Sequence, residues 1–486
     1  MSPRPFYYLE NFATALTALR ARYWDLLDAA ERELIERFAA LPRPAAALLV
    51  RMIGRKGELF RTAKLQYPEI GCALAAAAPL EEAGWVELTP EGLRLRIRTL
   101  CDRLRALFFG NFRQDWSEFV LADLGIFRYE KVGFDAGTRA FQTRRQIDVF
   151  YTLLECCRAI EAGCDPCALL ASLPAPVTEN QWLESQRLKL QFQLGRLLES
   201  RGELARALQL YVQCAHPGSR VRCVRVLERL DRMQEALALA YRIRVEPLDE
   251  SELQLAERMW PRLQRRAGFR KASRPRTGPL PAFTLTLAAT ARPPCLEEAA
   301  ARSLSEPDSP AHYVENRLLN SLFGLLCWQA LFAPVPGAFF HEFQSGPSDL
   351  HLPGFRQRRE RELARCLDEL GSTAYRNTIR RNFELKHGMR CAFVSWESVS
   401  AALLEAALDC VPAQHLRACF ERILADVRLN RSGLPDLVKL WPRERRYRLI
   451  EVKGPGDKLQ DNQIRWLRFF GSRGIPASVC HVSWER

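Results

Sequence analysis

Apolar residues recur at helical spacing through most of the first 270 positions. "NFATALTALRARYWDLLDAAERELIERFAAL" and "PAAALLVRMIGRKGELFRTAKL" read as helices, and "EEAGWVELTPEGLRL" as strand, turn and strand. Helices followed by a β-wing predict a winged-helix-like module over residues 1–95. Residues 96–170 read as a further helical segment, and "ASLPAPVTEN" at 171–180 as a linker. Between 181 and 266 the pattern is almost wholly helical, and "RGELARALQLYVQC" resembles "LDRMQEALALAYRI" about 29 residues later. That offset suits helix–turn–helix repeats, so a short helical solenoid is expected over 171–281, ending in the basic linker "RRAGFRKASRPRTGPLP".

From about residue 282 the pattern is mixed. One helix is expected over 312–332, with others near 356–370, 373–382, 397–408 and 412–427. "GLPDLVKLW" and "RYRLIEVKG" read as strands joined by the polar turn "PRER", followed by a helix over 457–470 and a strand over 476–483. A leading helix, a hairpin, a helix and a strand give the order of an α/β nuclease-like domain over 282–486.

The second strand of that hairpin carries the candidate chemistry. Alternation puts Glu451 and Lys453 on one face, and Ile450 and Val452 on the other. Hairpin pairing can set Asp436 beside Glu451. Two carboxylates on a buried sheet repel each other and resist ionisation unless a cation neutralises them. Such oxygen ligands suit Mg²⁺ or Mn²⁺. A lysine beside them can hold an attacking water or stabilise charge on a phosphoryl group. The competing reading is a surface hairpin in which Asp436 pairs with Lys453. Glu315 aligns with Leu318, Leu319, Leu322 and Leu326 on the expected leading helix, making it a third acid or a residue that merely favours a helix start. Gln463, one turn beyond Leu459, is a candidate contact to water or phosphate.

Composition adds a partner. The 486 residues are 48% apolar and 26% charged, as soluble globular chains are, and carry a formal charge of +14. Only nine of the 71 basic residues are lysine. The surplus points to a polyanion, usually nucleic acid, although a codon bias toward arginine would leave the same mark. Arg55, Lys56 and Lys64 near the wing, and Arg265, Arg270 and Lys271 in the linker, are the candidate phosphate contacts. No apolar run is long enough to cross a bilayer and no signal-peptide pattern opens the chain, so a cytoplasmic place is expected. Cys164 and Cys167 have metal-ligand spacing, but no second pair follows. With Cys156 and Cys157 they read as helix-core thiols.

"GLPDLVKLW … YRLIEVKGPGDKLQDNQIRWL … VCHVSW" closely resembles the virus-type replication–repair nuclease domain, and more narrowly the Fanconi-anaemia-associated nuclease family. "FVSWE" at 393–397, "LFGLLCW" at 322–328 and "FYYLENFATAL … GRKGELFRTAKLQYPEI" extend the likeness over most of the chain. The resemblance implies a multidomain, mainly α protein with TPR-like repeats and a C-terminal α/β restriction-endonuclease-like domain. It implies a metal-dependent DNA nuclease that cuts 5′ flaps and degrades 5′ to 3′ in interstrand cross-link repair. It maps the metal ligands onto Glu315, Asp436, Glu451 and the Val452 carbonyl, with Lys453 as the catalytic lysine. It also implies a basic pocket for a 5′-terminal phosphate. One departure stands out: the SAP-type module of the family is absent or truncated, with only "IRTLCDRLRALFFG" near 97–110 in its place. A non-catalytic scaffold for branched DNA, an RNA nuclease and a restriction-type enzyme are the alternatives.

Overall fold

The structure is a computed structural model that describes residues 5–111, 113–114, 116, 127–269, 278–288 and 295–485. Arg270 and Lys271 of the basic linker lie outside the described residues, as does most of 112–126.

The N-terminal part has the expected winged arrangement. Helices Tyr7–Tyr23, Ala29–Ala40 and Arg43–Ile53 precede β1 (Leu59–Phe60), helix Ala73–Glu82, β2 (Val86–Thr89) and β3 (Gly92–Leu95). The antiparallel sheet runs β1-β3-β2. Asp28 starts the second helix with a reciprocal capping box to Glu31, satisfying backbone donors that the first turn leaves free. Gly92 is required where it stands: its φ is +141°, and a Cβ there would lie 2.2 Å from the Phe60 carbonyl oxygen. The third helix ends at Ile53, so Arg55 and Lys56 sit in the turn beyond it and Lys64 closes a 3₁₀ turn, all exposed. The basic residues expected on a helix face are therefore loop residues, because Gly54 and Gly57 interrupt the helix around them.

Helices Gln181–Ser200, Leu204–Val212, Ser219–Arg229, Met233–Val245 and Glu250–Arg266 form the repeat region. Leu198, Tyr211, Val224, Ala236, Ile243 and Leu263 build its core. Of the cysteine cluster, Cys156 is buried, Cys157 and Cys167 are half-buried, and Cys164 is exposed, so the core reading fails for Cys164. It sits in the turn after helix Arg144–Glu161.

The C-terminal part contains a five-stranded sheet in the order β4-β8-β7-β6-β5. β4 is Ala282–Leu287, β5 Ala311–Tyr313, β6 Leu437–Trp441, β7 Arg446–Lys453 and β8 Ala477–Trp484. β5, β6 and β7 pair antiparallel, whereas β8 is parallel to both β7 and β4. Both faces are covered, which explains the near-continuous apolar runs of β6 and β7. Ile450 and Val452 pack with Ala300 and Ala301 of helix Leu296–Leu304. Leu449 faces the larger helical core, into which helix Asp461–Ser472 presses Trp466 and Phe470. Removing either ring would cost about 3–5 kcal/mol.

The expected helix over 312–332 does not form as one element. Ala311–Tyr313 pairs with β6, Val314 N–H donates to the Asp436 carbonyl at 2.7 Å, and the helix begins at Leu318. Sheet hydrogen bonds to a distant strand outcompete the local helical pattern at these residues. Asn316, with φ +52°, turns the chain between the two elements.

The three parts dock through charge-assisted contacts. Arg422 pairs with Glu250, Arg428 with Asp249 at 2.9 Å, and Arg465 donates to Gln254 at 2.6 Å, joining the repeats to the sheet-bearing part. Arg22 donates to the Phe339 and Phe340 carbonyls from the N-terminal side.

Candidate active site

The β6–β7 register pairs Leu437 with Ile450, which continues to set Asp436 opposite Glu451. Asp436 Oδ2 accepts the Val452 N–H at 2.8 Å, tying one acid to the strand that bears the other. Lys453 Nζ lies 2.8 Å from Glu451 Oε1, on the same face as alternation requires. These side chains are nearly sealed: Glu451 is 0%, Asp436 5% and Lys453 9% exposed. Burial excludes the surface-hairpin reading in which Asp436 and Lys453 pair in solvent.

Glu315 arrives through β5. Tyr313 pairs with Leu437, and the next residues bring Glu315 to the acid end of the hairpin. Its oxygens accept from Tyr313 Oη at 2.8 Å and from Asn316 Nδ2 at 3.3 Å. It is a turn residue rather than part of a helical stripe. Gln463 is buried, and its Oε1 accepts the Gln460 N–H at 2.8 Å within the capping box of helix Asp461–Ser472. The structure thus gives that carboxamide oxygen a capping role. Upstream, Gly433 takes φ +86° where a Cβ would stand 2.7 Å from Asn462, so the loop entering Asp436 lies directly on this helix.

Electrostatics bear the strain of this packing. Burial first, then the neighbouring Asp436, pushes the Glu451 carboxyl up to about 8, against the pull of Lys453. Burial likewise raises Asp436 to about 6, with Glu315 and Glu297 adding to it and the Val452 N–H and Lys453 opposing it. Glu451 Oε2 has no hydrogen-bond donor, and Lys453 meets Oε1 only as an ion pair. Buried carboxylate oxygen without a donor, beside a second carboxylate, is chemistry that could hold a hard divalent cation. Among the described residues no three His, Cys, Asp or Glu side chains are already gathered as a metal cage.

A pH signature follows. Without a divalent ion, the folded chain keeps protons on these carboxyls at pH values where the unfolded chain has released them. Their folded pKa values lie above the unfolded ones, so their contribution to stability is full below about pH 4 and is lost as pH rises through about 6 and 8. In chelator, the thermal midpoint is expected to fall across this range, and Mg²⁺ should restore more stability at about pH 8 than at about pH 5. A stabilisation by Mg²⁺ that is the same at both ends, or a slope unchanged in Glu451→Gln, would contradict the assignment.

Sequence reasoning missed Tyr313, Asn316 and Glu297. Glu297 starts helix Leu296–Leu304, accepts from the Cys295 thiol at 3.3 Å and adds to the negative field on Asp436. Its only sequence signal is an acid in the first turn of a helix, which most helices share.

A covered mixed sheet whose central hairpin presents Pro-Asp and Glu-x-Lys defines a nuclease domain of the restriction-endonuclease type. The comparisons with known proteins place it further. The VRR-NUC domain family matches residues 371–484, and the FAN1, HTH domain family matches residues 6–87. The chain is 45% identical over 540 residues to the Fanconi-associated nuclease 1 homolog of Pseudomonas aeruginosa, covering 99% of this chain and 97% of that one. It is 24% identical to the Oryza sativa homolog, spanning 63% of its length, and 35% identical to the Danio rerio protein over only 18% of its length. A crystal structure of paFAN1 bound to 2-nt 5′ flap DNA with a gap superposes with a TM-score of 0.94 at 44% identity, covering 100% of both chains. The corresponding complex with a 1-nt flap gives 0.92. The chain belongs to the Fanconi-associated nuclease family. VRR-NUC nucleases depend in general on divalent metal, in keeping with the donor set described. Among the described residues, no helix is long and apolar enough to cross a membrane.

Proposed function

We propose that this chain is a structure-specific DNA nuclease that hydrolyses phosphodiesters with Mg²⁺ or Mn²⁺, cutting 5′ flaps and degrading 5′ to 3′ in interstrand cross-link repair. The observation that carries the reading is the sealed pairing of Asp436 with Glu451 and Lys453 on one sheet face. The relative with the flap-bound crystal structures supports the choice of DNA end.

Glu315, Asp436, Glu451 and the Val452 carbonyl would hold the ion, and when bound it would polarise the scissile phosphate and lower the pKa of water. Asp436 is fixed by the Val452 N–H, so its free oxygen keeps one direction. Lys453, held by Glu451, presents its remaining protons to an incoming water or a phosphoryl oxygen. The covered sheet excludes bulk water from both acids, which strengthens each charge interaction.

Exposed Arg55, Lys56 and Lys64 would meet duplex phosphates, and Arg55 is held over Tyr67 with its ring centroid 5.4 Å away. Arg265 is an exposed side chain on the last repeat helix and would add to the same electrostatic term.

The test is a substrate panel. With Mg²⁺ or Mn²⁺, labelled 5′-flap DNA should be cut, 3′-flap and plain duplex much less, and RNA of the same shape not at all. A 5′-phosphorylated end should be preferred to a 5′-hydroxyl. Binding without cleavage would instead mark a scaffold, and equal cutting of RNA would remove the DNA assignment.

A further inference from the structure

Two segments more than a hundred residues apart supply the acids of this site, and one side chain joins them. Asn316 Oδ1 accepts the Leu434 N–H at 3.0 Å, across 118 positions of sequence, two residues before Asp436. Its Nδ2 donates to Glu315 Oε1 at 3.3 Å. Its own carbonyl accepts from Asn320 Nδ2 at 2.7 Å, and the same Nδ2 donates to the Arg431 carbonyl at 2.8 Å. Asn320 is 3% exposed, so these bonds run inside the protein. Tyr313 Oη takes the other Glu315 oxygen at 2.8 Å.

Asn316 holds φ +52°, a region that glycine occupies at lower cost. A turn needed for its shape alone would be served by glycine. The asparagine supplies what glycine lacks: one amide that grips the Glu315 carboxylate and the Asp436 loop at once. Asparagine tolerates this backbone conformation better than other side-chain-bearing residues, so the two needs meet in one residue type.

We infer that Asn316 is a positioning residue for the divalent ion. With Tyr313 it fixes the Glu315 carboxylate relative to the loop that enters Asp436, so that an arriving ion meets the two acids in one relative orientation. Outer-shell partners that orient a ligating carboxylate act on ion affinity first. The inference rests on the metal-site reading given under Proposed function.

The experiment uses the full chain and Mn²⁺ as probe, with free Mn²⁺ followed by electron paramagnetic resonance. Asn316→Gly keeps the backbone conformation and removes both side-chain bonds. Its Kd for Mn²⁺ should rise about ten-fold, with cleavage recovering at saturating Mn²⁺. Tyr313→Phe, which deletes a single hydroxyl, should raise the Kd by less and keep the metal-free thermal midpoint of the parent. That second variant decides the matter should Asn316→Gly fold poorly. Parent-like Mn²⁺ affinity in both variants would overturn the inference, and so would a lower saturated rate at unchanged affinity. Should the parent itself show no saturable Mn²⁺ binding that Asp436→Asn abolishes, the metal-site reading falls instead.

Discussion

Asp436→Asn is expected to lower flap cleavage by about 10³-fold or more while DNA binding stays close to that of the parent. The size follows from what the side chain does. Asp436 is the acid that both β6 and the Val452 N–H hold in place, opposite Glu451. The amide is nearly isosteric, so packing survives, but the charge that gathers a cation is lost. The proposed phosphate contacts of the N-terminal and repeat regions would be untouched, and contacts of that kind supply most of a protein's affinity for DNA. Single-turnover cleavage and a binding titration in chelator check both halves. A variant that cuts normally would show that the acids of this hairpin are not the site.

Asp349→Ala is expected to destabilise the sheet-bearing part by about 3–5 kcal/mol. Asp349 and Arg359 are both 0% exposed and joined by two hydrogen bonds of 2.9 Å, with Arg358 adding a third at 2.7 Å. Removing the carboxylate leaves a guanidinium sealed without its counter-charge, which is the costly half of breaking a buried pair. Urea unfolding followed by tryptophan fluorescence checks it. A loss below about 1 kcal/mol would mean that water reaches the pair and that it behaves as a surface contact. Asp349→Leu with Arg359→Met should recover much of the loss, because neither charge then remains to be compensated.

The hairpin of the candidate site was legible because three independent signals agreed there. "GLPDLV" and "RLIEVK" are apolar runs bounded by turns, and period-two alternation places Glu451 with Lys453. Antiparallel pairing then sets Asp436 against Glu451, as observed. Glu315 was legible as a residue but not as a geometry. The spacing of Glu315 to Leu318, Leu319, Leu322 and Leu326 suits a helix, whereas β5 is three residues long and draws its hydrogen bonds from β6. A strand that short carries almost no periodic signal. β4 was missed for another reason: "AFTLTL" alternates, but it follows a basic Pro-rich stretch, and nothing local says that its partner is β8. Basic residues were legible as charge and not as placement. Arg55 and Lys56 looked helical until Gly54 and Gly57 are read as turn residues.

The place of β8 has a consequence for the moment of synthesis. It enters between β4 and β7, parallel to both, although it is made after them and nearly two hundred residues after β4. Until residues 477–484 leave the ribosome, the strand carrying Glu451 and Lys453 keeps one bare edge, and β4 has no neighbour at all. Pairings of such long sequence separation form late and slowly. A growing chain therefore holds the strand that bears Glu451 and Lys453 unfinished on one side until β8 is made.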